Sequence, residues 1–265
     1  MPESADVFRR SLRELPAFRA LLRAVETRLY AGLELPEPTL DLGCGDGHFA
    51  SAAFDAPLAV GVDADFDAVR AARTRAGVYR GLMQSGGERL PFGDAAFGSG
   101  ISNSVLEHIP RVQCALREVG RVMRPGAQFV FSVPSECFRE FLSIRRGLSG
   151  MGLGSMARAY ERFFDRISRH HHYHSPDEWR VILEEAGFAV ERYRYYFSER
   201  ALRALEWGHY LGFPALISKS LTGRWILAPT NANLWLTERL LRRFFEEPLP
   251  ARGAYLFIVA RRFVE

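Results

Sequence analysis

Cysteine is scarce in this chain: Cys44, Cys114 and Cys137 are the only three among 265 residues. A small, odd number excludes a disulfide framework, and reduced thiols in a cytoplasmic protein are the simpler expectation. Lysine is scarcer still, with Lys219 alone among 35 basic side chains. The arginine excess runs along the whole chain, so it reads as a compositional bias rather than as a phosphate or carboxylate site. Strong charge of either sign is also missing. The net charge of +4 does not mark a nucleic-acid binder. No apolar run approaches the ~18–20 residues of a membrane span. The opening Met1-Pro-Glu-Ser-Ala-Asp6 lacks a basic stretch followed by an apolar one, so no signal peptide is expected. Glycine (23) and proline (14) fall short of collagenous or low-complexity levels, and a 48% hydrophobic share excludes a disordered chain. What remains is enough chain for one large domain, or for one domain carrying insertions.

The segments that are present alternate. Pro16 suits a first helical position, and Phe18, Leu21, Leu22, Val25 and Leu29 follow at helical spacing until Gly32. After a linker marked by Pro36 and Pro38, Thr39 to Leu42 reads as a short strand, Ala50 to Phe54 as part of a helix and Leu58 to Val62 as a buried strand. Residues 65–75 read as helix, Val78 to Met83 as a third strand and Phe97 to Asn103 as a fourth. The stripe Val112, Leu116, Val119 and Met123 predicts a helix closed by Arg124-Pro125-Gly126, and Gln128 to Val133 a fifth strand stopped by Pro134. This alternation argues for a parallel sheet covered on both faces. Later, Pro176-Asp-Glu-Trp179 opens a helix ending at Gly187. Phe188 to Phe197 and Ala254 to Phe263 read as strands. There is no internal repeat.

Between the first strand and the following helix lies Asp41-Leu-Gly43-Cys44-Gly45-Asp-Gly47. Glycines allow positive φ and close approach of a ligand, and the N–H groups at a helix start face the ligand's polar end. A dinucleotide loop wants Gly-x-Gly-x-x-Gly, but the position three beyond Gly45 is His48. The spacing here is acid-x-Gly-x-Gly-x-Gly. Asp63 ends the second strand, about 20 residues on, where an acid can accept from both ribose hydroxyls; it would also serve as a helix N-cap. Leu90-Pro-Phe92, Val105-Leu-Glu-His108 and Leu116 to Gly126 follow in order.

This order and spacing resemble the small-molecule type of class I S-adenosylmethionine-dependent methyltransferases. The resemblance covers about residues 38–134, and more weakly 172–197 and 254–263. It implies an α/β fold: a Rossmann-like, doubly wound, mostly parallel seven-stranded sheet with an antiparallel last strand and helical insertions. It implies an N-terminal helical segment over 1–34 and a methyltransferase domain over 35–265, with cover insertions at 135–175 and 200–250. S-adenosylmethionine is the implied cofactor. Gly43 and Gly45, with Cys44 between them, would lie against its methionyl end, and Asp41 would help to hold the amino group. Asp63 would take the ribose hydroxyls and Ala64 would touch the adenine. Ser102 and Asn103 would line the carboxyl end of the fourth strand beside the sulfonium. Two positions depart from the pattern: Gly86 stands where relatives usually have an acid for the adenine amino group, and Gly98 where an acid commonly follows the aromatic of the fourth strand.

Methyl transfer is an in-line displacement that needs alignment, and a base only if the acceptor must lose a proton. The candidate bases are His174 and His172, from His170-His-His-Tyr-His174, with His108 as their rival. Some quinone O-methyltransferases of similar sequence place a Glu-x-x-Glu-His metal site around Glu107-His108. Here Ser104 replaces its first acid, and no recognised ligand spacing completes the histidine run, so no metal is expected. The acceptor is expected to be a small or lipid-like molecule, apolar or anionic, methylated on O, N or C. The apolar side of that expectation rests on three of the four tryptophans lying within 200–250, which also suits peripheral membrane contact; the anionic side rests on seven arginines between Arg139 and Arg169. Nucleic acid is not expected, since Asn103-Ser-Val-Leu106 is no Asn/Asp-Pro-Pro-Tyr loop. The competing class is a non-catalytic cofactor-fold binding module. Oligomeric state is not readable.

Overall fold

The computed structural model describes residues 4–264. The chain divides into two compact units, one of residues 4–31, 137–162 and 195–254, the other of residues 32–136, 163–194 and 255–264.

The first unit is helical. Its leading helix, α1 (Ser4–Glu14), precedes the expected one, α2 (Ala17–Tyr30). Val7, Phe8 and Leu12 form its buried stripe, with Leu15 buried just after it. Further along are α6 (Cys137–Phe141), α7 (Ser143–Gly150), most of α8 (Gly154–Ser168), α10 (Glu199–Leu211), α11 (Phe213–Thr222) and α12 (Asn231–Phe245). Phe8 stacks on Phe245 with centroids 5.3 Å apart. Gly208 is required by a close approach: a Cβ there would lie 2.6 Å from Phe18.

The second unit is built on the sheet. In chain order it has β1 (Thr39–Leu42), α3 (His48–Ala53), β2 (Leu58–Asp63), α4 (Phe66–Arg73), β3 (Tyr79–Gln84), β4 (Phe97–Asn103), α5 (Val112–Val122), β5 (Met123–Pro134), α9 (Pro176–Glu185), β6 (Phe188–Tyr196, whose last two residues fall in the first unit) and β7 (Tyr255–Arg262). The strand order is β3-β2-β1-β4-β5-β7-β6. Strands β1 to β5 pair in parallel and β7 runs antiparallel to β5. This is the expected seven-stranded, Rossmann-like sheet with its antiparallel last strand. Strand order reverses between β1 and β4, so the carboxyl ends of β1, β2 and β4 border the crevice where such sheets bind ligands.

Strand β4 is buried along its whole length although it is mostly small and polar residues. Its neighbours explain this. Thr39 and Ser99 share a hydroxyl hydrogen bond of 2.8 Å, and the Ser99 hydroxyl also donates to the Pro36 carbonyl. Ser102 donates to the Leu42 carbonyl. Gly100 leaves room for Phe129 and Met123.

Arg124-Pro125-Gly126 does not close a helix with a loop. The pairing jumps from Phe97↔Met123 to Ser99↔Gln128, so these residues bulge within the first part of β5. A bulge accommodates Pro125, which has no N–H for the ladder, and Gly126, which sits at φ 77°. Helix α9 opens with a capping box: the Ser175 hydroxyl accepts from the Glu178 N–H, and Glu178 accepts from Ser175 N–H at 2.7 Å.

Candidate functional site at the carboxyl ends of β1, β2 and β4

The loop after β1 turns through three glycines with positive φ: Gly43 at 79°, Gly45 at 55° and Gly47 at 75°. Their reasons differ. A Cβ on Gly43 would fall 2.3 Å from a methyl of Val105, so this glycine also admits the residue that follows β4 and Ser104. A Cβ on Gly45 would meet nothing within 4 Å. Open space lies beside its backbone, as a ligand cradle requires. The N–H groups of Gly43 and Cys44 are spent on the Val62 carbonyl, at 2.7 and 2.9 Å, which holds the loop to β2.

Asp63 is half-buried and joins the two strand ends. One carboxylate oxygen accepts from Gly45 N–H at 2.8 Å, the other from Asp65 N–H at 2.9 Å. A carboxylate has about four acceptor positions, so two backbone bonds leave room for two further donors. Asp63 is therefore not the cap of α4. That role falls to Asp65, which accepts from Asp67 N–H at 2.9 Å. Ala64 is exposed beside it, and its carbonyl accepts from the Gln84 amide at 3.3 Å.

Asp41 is buried and accepts from the Tyr79 hydroxyl at 2.6 Å. Burial, then the Asp41 charge, pushes the Tyr79 phenol far above its ordinary range, so it stays a donor. Burial likewise raises the Cys44 thiol, with Asp41 and Asp63 adding to the effect. Cys44 is thus a neutral, packed thiol rather than a nucleophile. Ser102 and Asn103 are both buried at the end of β4, where Asn103 accepts from the Ser132 hydroxyl at 2.8 Å.

The histidine run is laced to the turn after β4. His171 N–H donates to the Glu107 carbonyl at 2.8 Å, and His172 Nε2 donates to the Ile109 carbonyl at 2.8 Å. His174 packs edge-on against Trp179 and stacks on His172. Burial lowers its pKa below the ordinary histidine value, His172 adds to that, and Glu178 partly offsets it. His108 is exposed, and its Nδ1 donates to the Arg169 carbonyl at 2.9 Å. Of the five-residue run it is His170, not His172 or His174, that meets Glu107 and His108.

Sequence reasoning missed Tyr79, Val105 and His170 in these roles. Tyr79 and Val105 carry no local signal; each matters through a partner 38 and 62 positions away. His170 was visible as part of the run, without a sign of which member would face Glu107.

Residues 40–131 match the family model described as a methyltransferase domain. An uncharacterised methyltransferase of Mycobacterium tuberculosis is 37% identical over 98 residues, which are 35% of this chain and 37% of that protein. A malonyl-[acyl-carrier protein] O-methyltransferase of Methylococcus capsulatus is 34% identical over 126 residues, 44% of this chain and 46% of that protein. The matched stretches thus span less than half the length of these curated relatives. An S-adenosylmethionine-dependent methyltransferase from Thermotoga maritima has a similar structure, with a TM-score of 0.57 over 92% of this chain and 90% of that chain at 16% identity. That likeness concerns the fold.

Proposed function

With residues 40–131 a methyltransferase domain of the class I S-adenosylmethionine-dependent type, we propose that this chain transfers the methyl group of S-adenosylmethionine to a small-molecule or lipid-like acceptor. The single observation that carries the reading is the open space at Gly45 next to the Asp63 carboxylate, which keeps acceptor positions for two hydroxyls. The cofactor, when bound, supplies a methyl already activated on a sulfonium. The protein's own work is then to hold and align.

In this reading Asp63 accepts the two ribose hydroxyls, and its bonds to Gly45 and Asp65 N–H keep it aimed. Gly43, Cys44 and Gly45 present backbone to the methionyl end. Asp41, steadied by Tyr79, accepts from the amino group. Ala64 lies against the adenine. Ser102 and Asn103 line the end of β4 on the reacting side. His174 is our candidate base, with His172 and His108 as alternates: its depressed pKa keeps the imidazole neutral and able to take a proton at neutral pH. His172 donates from Nε2 to the Ile109 carbonyl, so its neutral ring would take a proton at Nδ1.

A lipid-like acceptor or peripheral membrane contact draws support from the first unit. Leu211 and Leu221 are 78% and 79% exposed, with Leu216 and Ile217 exposed between them. Among the described residues no helix is long and apolar enough to cross a membrane. The relative named for malonyl-[acyl-carrier protein] favours an oxygen acceptor.

The test is calorimetry with S-adenosylmethionine. Asp63→Ala should weaken binding by about 1.5–3 kcal/mol, roughly 10- to 150-fold, the range for hydrogen bonds to a charged group. Unchanged affinity would overturn the assignment. Once an acceptor is found, His174→Ala should lower turnover by about 10²–10⁴-fold. The acid limb of the kcat profile should lie below pH ~6.5, because burial moves this imidazole down.

A further inference from the structure

Three metal-type ligands from two separate stretches of chain converge at the turn after β4. Glu107 is buried, His108 is exposed and His170 is half-buried. One ligand atom from each lies within 4.8 Å of the other two. The hydrogen bonds around them decide which nitrogens have a lone pair for a cation. A backbone carbonyl can only accept, so His108 Nδ1, 2.9 Å from the Arg169 carbonyl, carries the proton. In the neutral ring this leaves the lone pair on Nε2, which lies 3.9 Å from a Glu107 carboxylate oxygen. The Tyr173 hydroxyl donates to Asp165 at 2.6 Å, so it accepts from His170 Nδ1 at 3.1 Å. His170 Nδ1 is therefore also protonated, and its lone pair is likewise on Nε2.

The geometry points to a binding site for a divalent first-row transition cation, held by a Glu107 carboxylate oxygen and by Nε2 of His108 and of His170. Two imidazoles and one carboxylate are a borderline N/O set of the kind that binds Zn²⁺, Co²⁺ or Fe²⁺. Each imidazole already has the partner that metal-ligating histidines need on the opposite nitrogen: a carbonyl for His108, and a tyrosine backed by a carboxylate for His170. The three ligand atoms would draw together to about 3.3 Å from one another, the edge set by metal–ligand bonds of about 2.0–2.1 Å; His108 Nε2 and the Glu107 carboxylate are now 3.9 Å apart. His108, 40% exposed along its side chain, has the freedom for this and gives the ion a way in. Its exposure also leaves coordination positions for an oxygen ligand. Ser104 and the rest of the histidine run take no part. If the methyl-transfer reading holds, a cation here would polarise an acceptor oxygen at the carboxyl end of β4; the site itself does not depend on that reading.

The experiment uses untagged, chelator-stripped full-length protein titrated with Co²⁺, followed by its visible absorption, and with Zn²⁺ by calorimetry. One saturable equivalent is expected. His108→Ala and His170→Ala should each weaken it at least 100-fold. Tyr173→Phe, which removes only the tautomer-setting partner, should weaken it about 10- to 100-fold. His172→Ala and His174→Ala should leave it within threefold. Absence of saturable binding, or binding insensitive to His108→Ala, would overturn the proposal. So would binding abolished by His172→Ala or His174→Ala, which would make the histidine run a chelator by itself. S-adenosylmethionine affinity measured on the same proteins separates this outcome from failure of the cofactor reading. The His108 and His170 variants should still bind the cofactor, which also shows that they fold.

Discussion

Gly86 and Gly98 occupy the two positions where the methyltransferase pattern usually has an acid, and their surroundings are opposite. At Gly98 a Cβ would lie 2.7 and 2.8 Å from the backbone carbonyl oxygens of Glu37 and Pro36. Backbone does not swing aside, so the missing acid is explained by the chain leading into β1, which packs against this strand. At Gly86 nothing lies within 4 Å of a Cβ and φ is ordinary. Gly86→Asp should therefore fold normally and tighten S-adenosylmethionine binding about tenfold, one charge-assisted hydrogen bond's worth. Gly98→Asp should cost more than about 3 kcal/mol of stability through overpacking. Calorimetry on the first and urea unfolding on the second check the pair. A Gly86→Asp protein with unaltered affinity would mean that the adenine amino group points elsewhere.

Elements in the first unit are tied by one buried carboxylate. Glu206, on α10, is fully buried and accepts from Ser143 N–H at 2.6 Å and Ile144 N–H at 3.2 Å, the opening donors of α7. It also accepts from the Ser143 and Tyr160 hydroxyls, each at 2.6 Å. A carboxylate at a helix start complements the dipole and the orphan N–H groups. Burial, and then the bond to Glu206, raises the Tyr160 phenol and keeps it a donor. Glu206→Gln would turn an amide NH₂ toward this ring of donors. The expected loss is about 2–4 kcal/mol, read as a lower urea midpoint, with Trp207 fluorescence reporting on α10. Of these elements the sequence showed only two insertions, at 135–175 and 200–250. The ion-like anchor could not be seen, because its partners lie 46 to 63 positions away.

For the molecule as a whole, stability in acid carries a contribution from Glu118. Its hydrogen bonds to Arg121, then that to Leu90 N–H, hold the carboxyl at about 2 despite partial burial. In the unfolded chain it titrates near 4.3. The folded pKa is the lower, so the stabilisation is complete above about pH 4.3 and is lost as pH falls toward 2. Glu118 is partly solvated, so the effect is on the order of 1 kcal/mol. Glu118→Gln should flatten the fall of the urea midpoint between about pH 4.5 and 3; an unchanged slope would place the acid sensitivity in other carboxylates. The order of strands and helices in the sheet unit, the glycine loop and the acid ending β2 were all legible in the sequence, because each is written in local spacing: the apolar run of a buried strand, the φ freedom of glycine, the interval between consecutive strand ends. Tertiary structure alone decided that Gly43 faces Val105, that Asp63 joins two strand ends rather than capping a helix, that Arg124–Gly126 bulges within a strand, and that His170 rather than His172 or His174 meets Glu107 and His108. Those outcomes depend on which residues distant in sequence share a few ångströms, and a single sequence's periodicity does not carry that information.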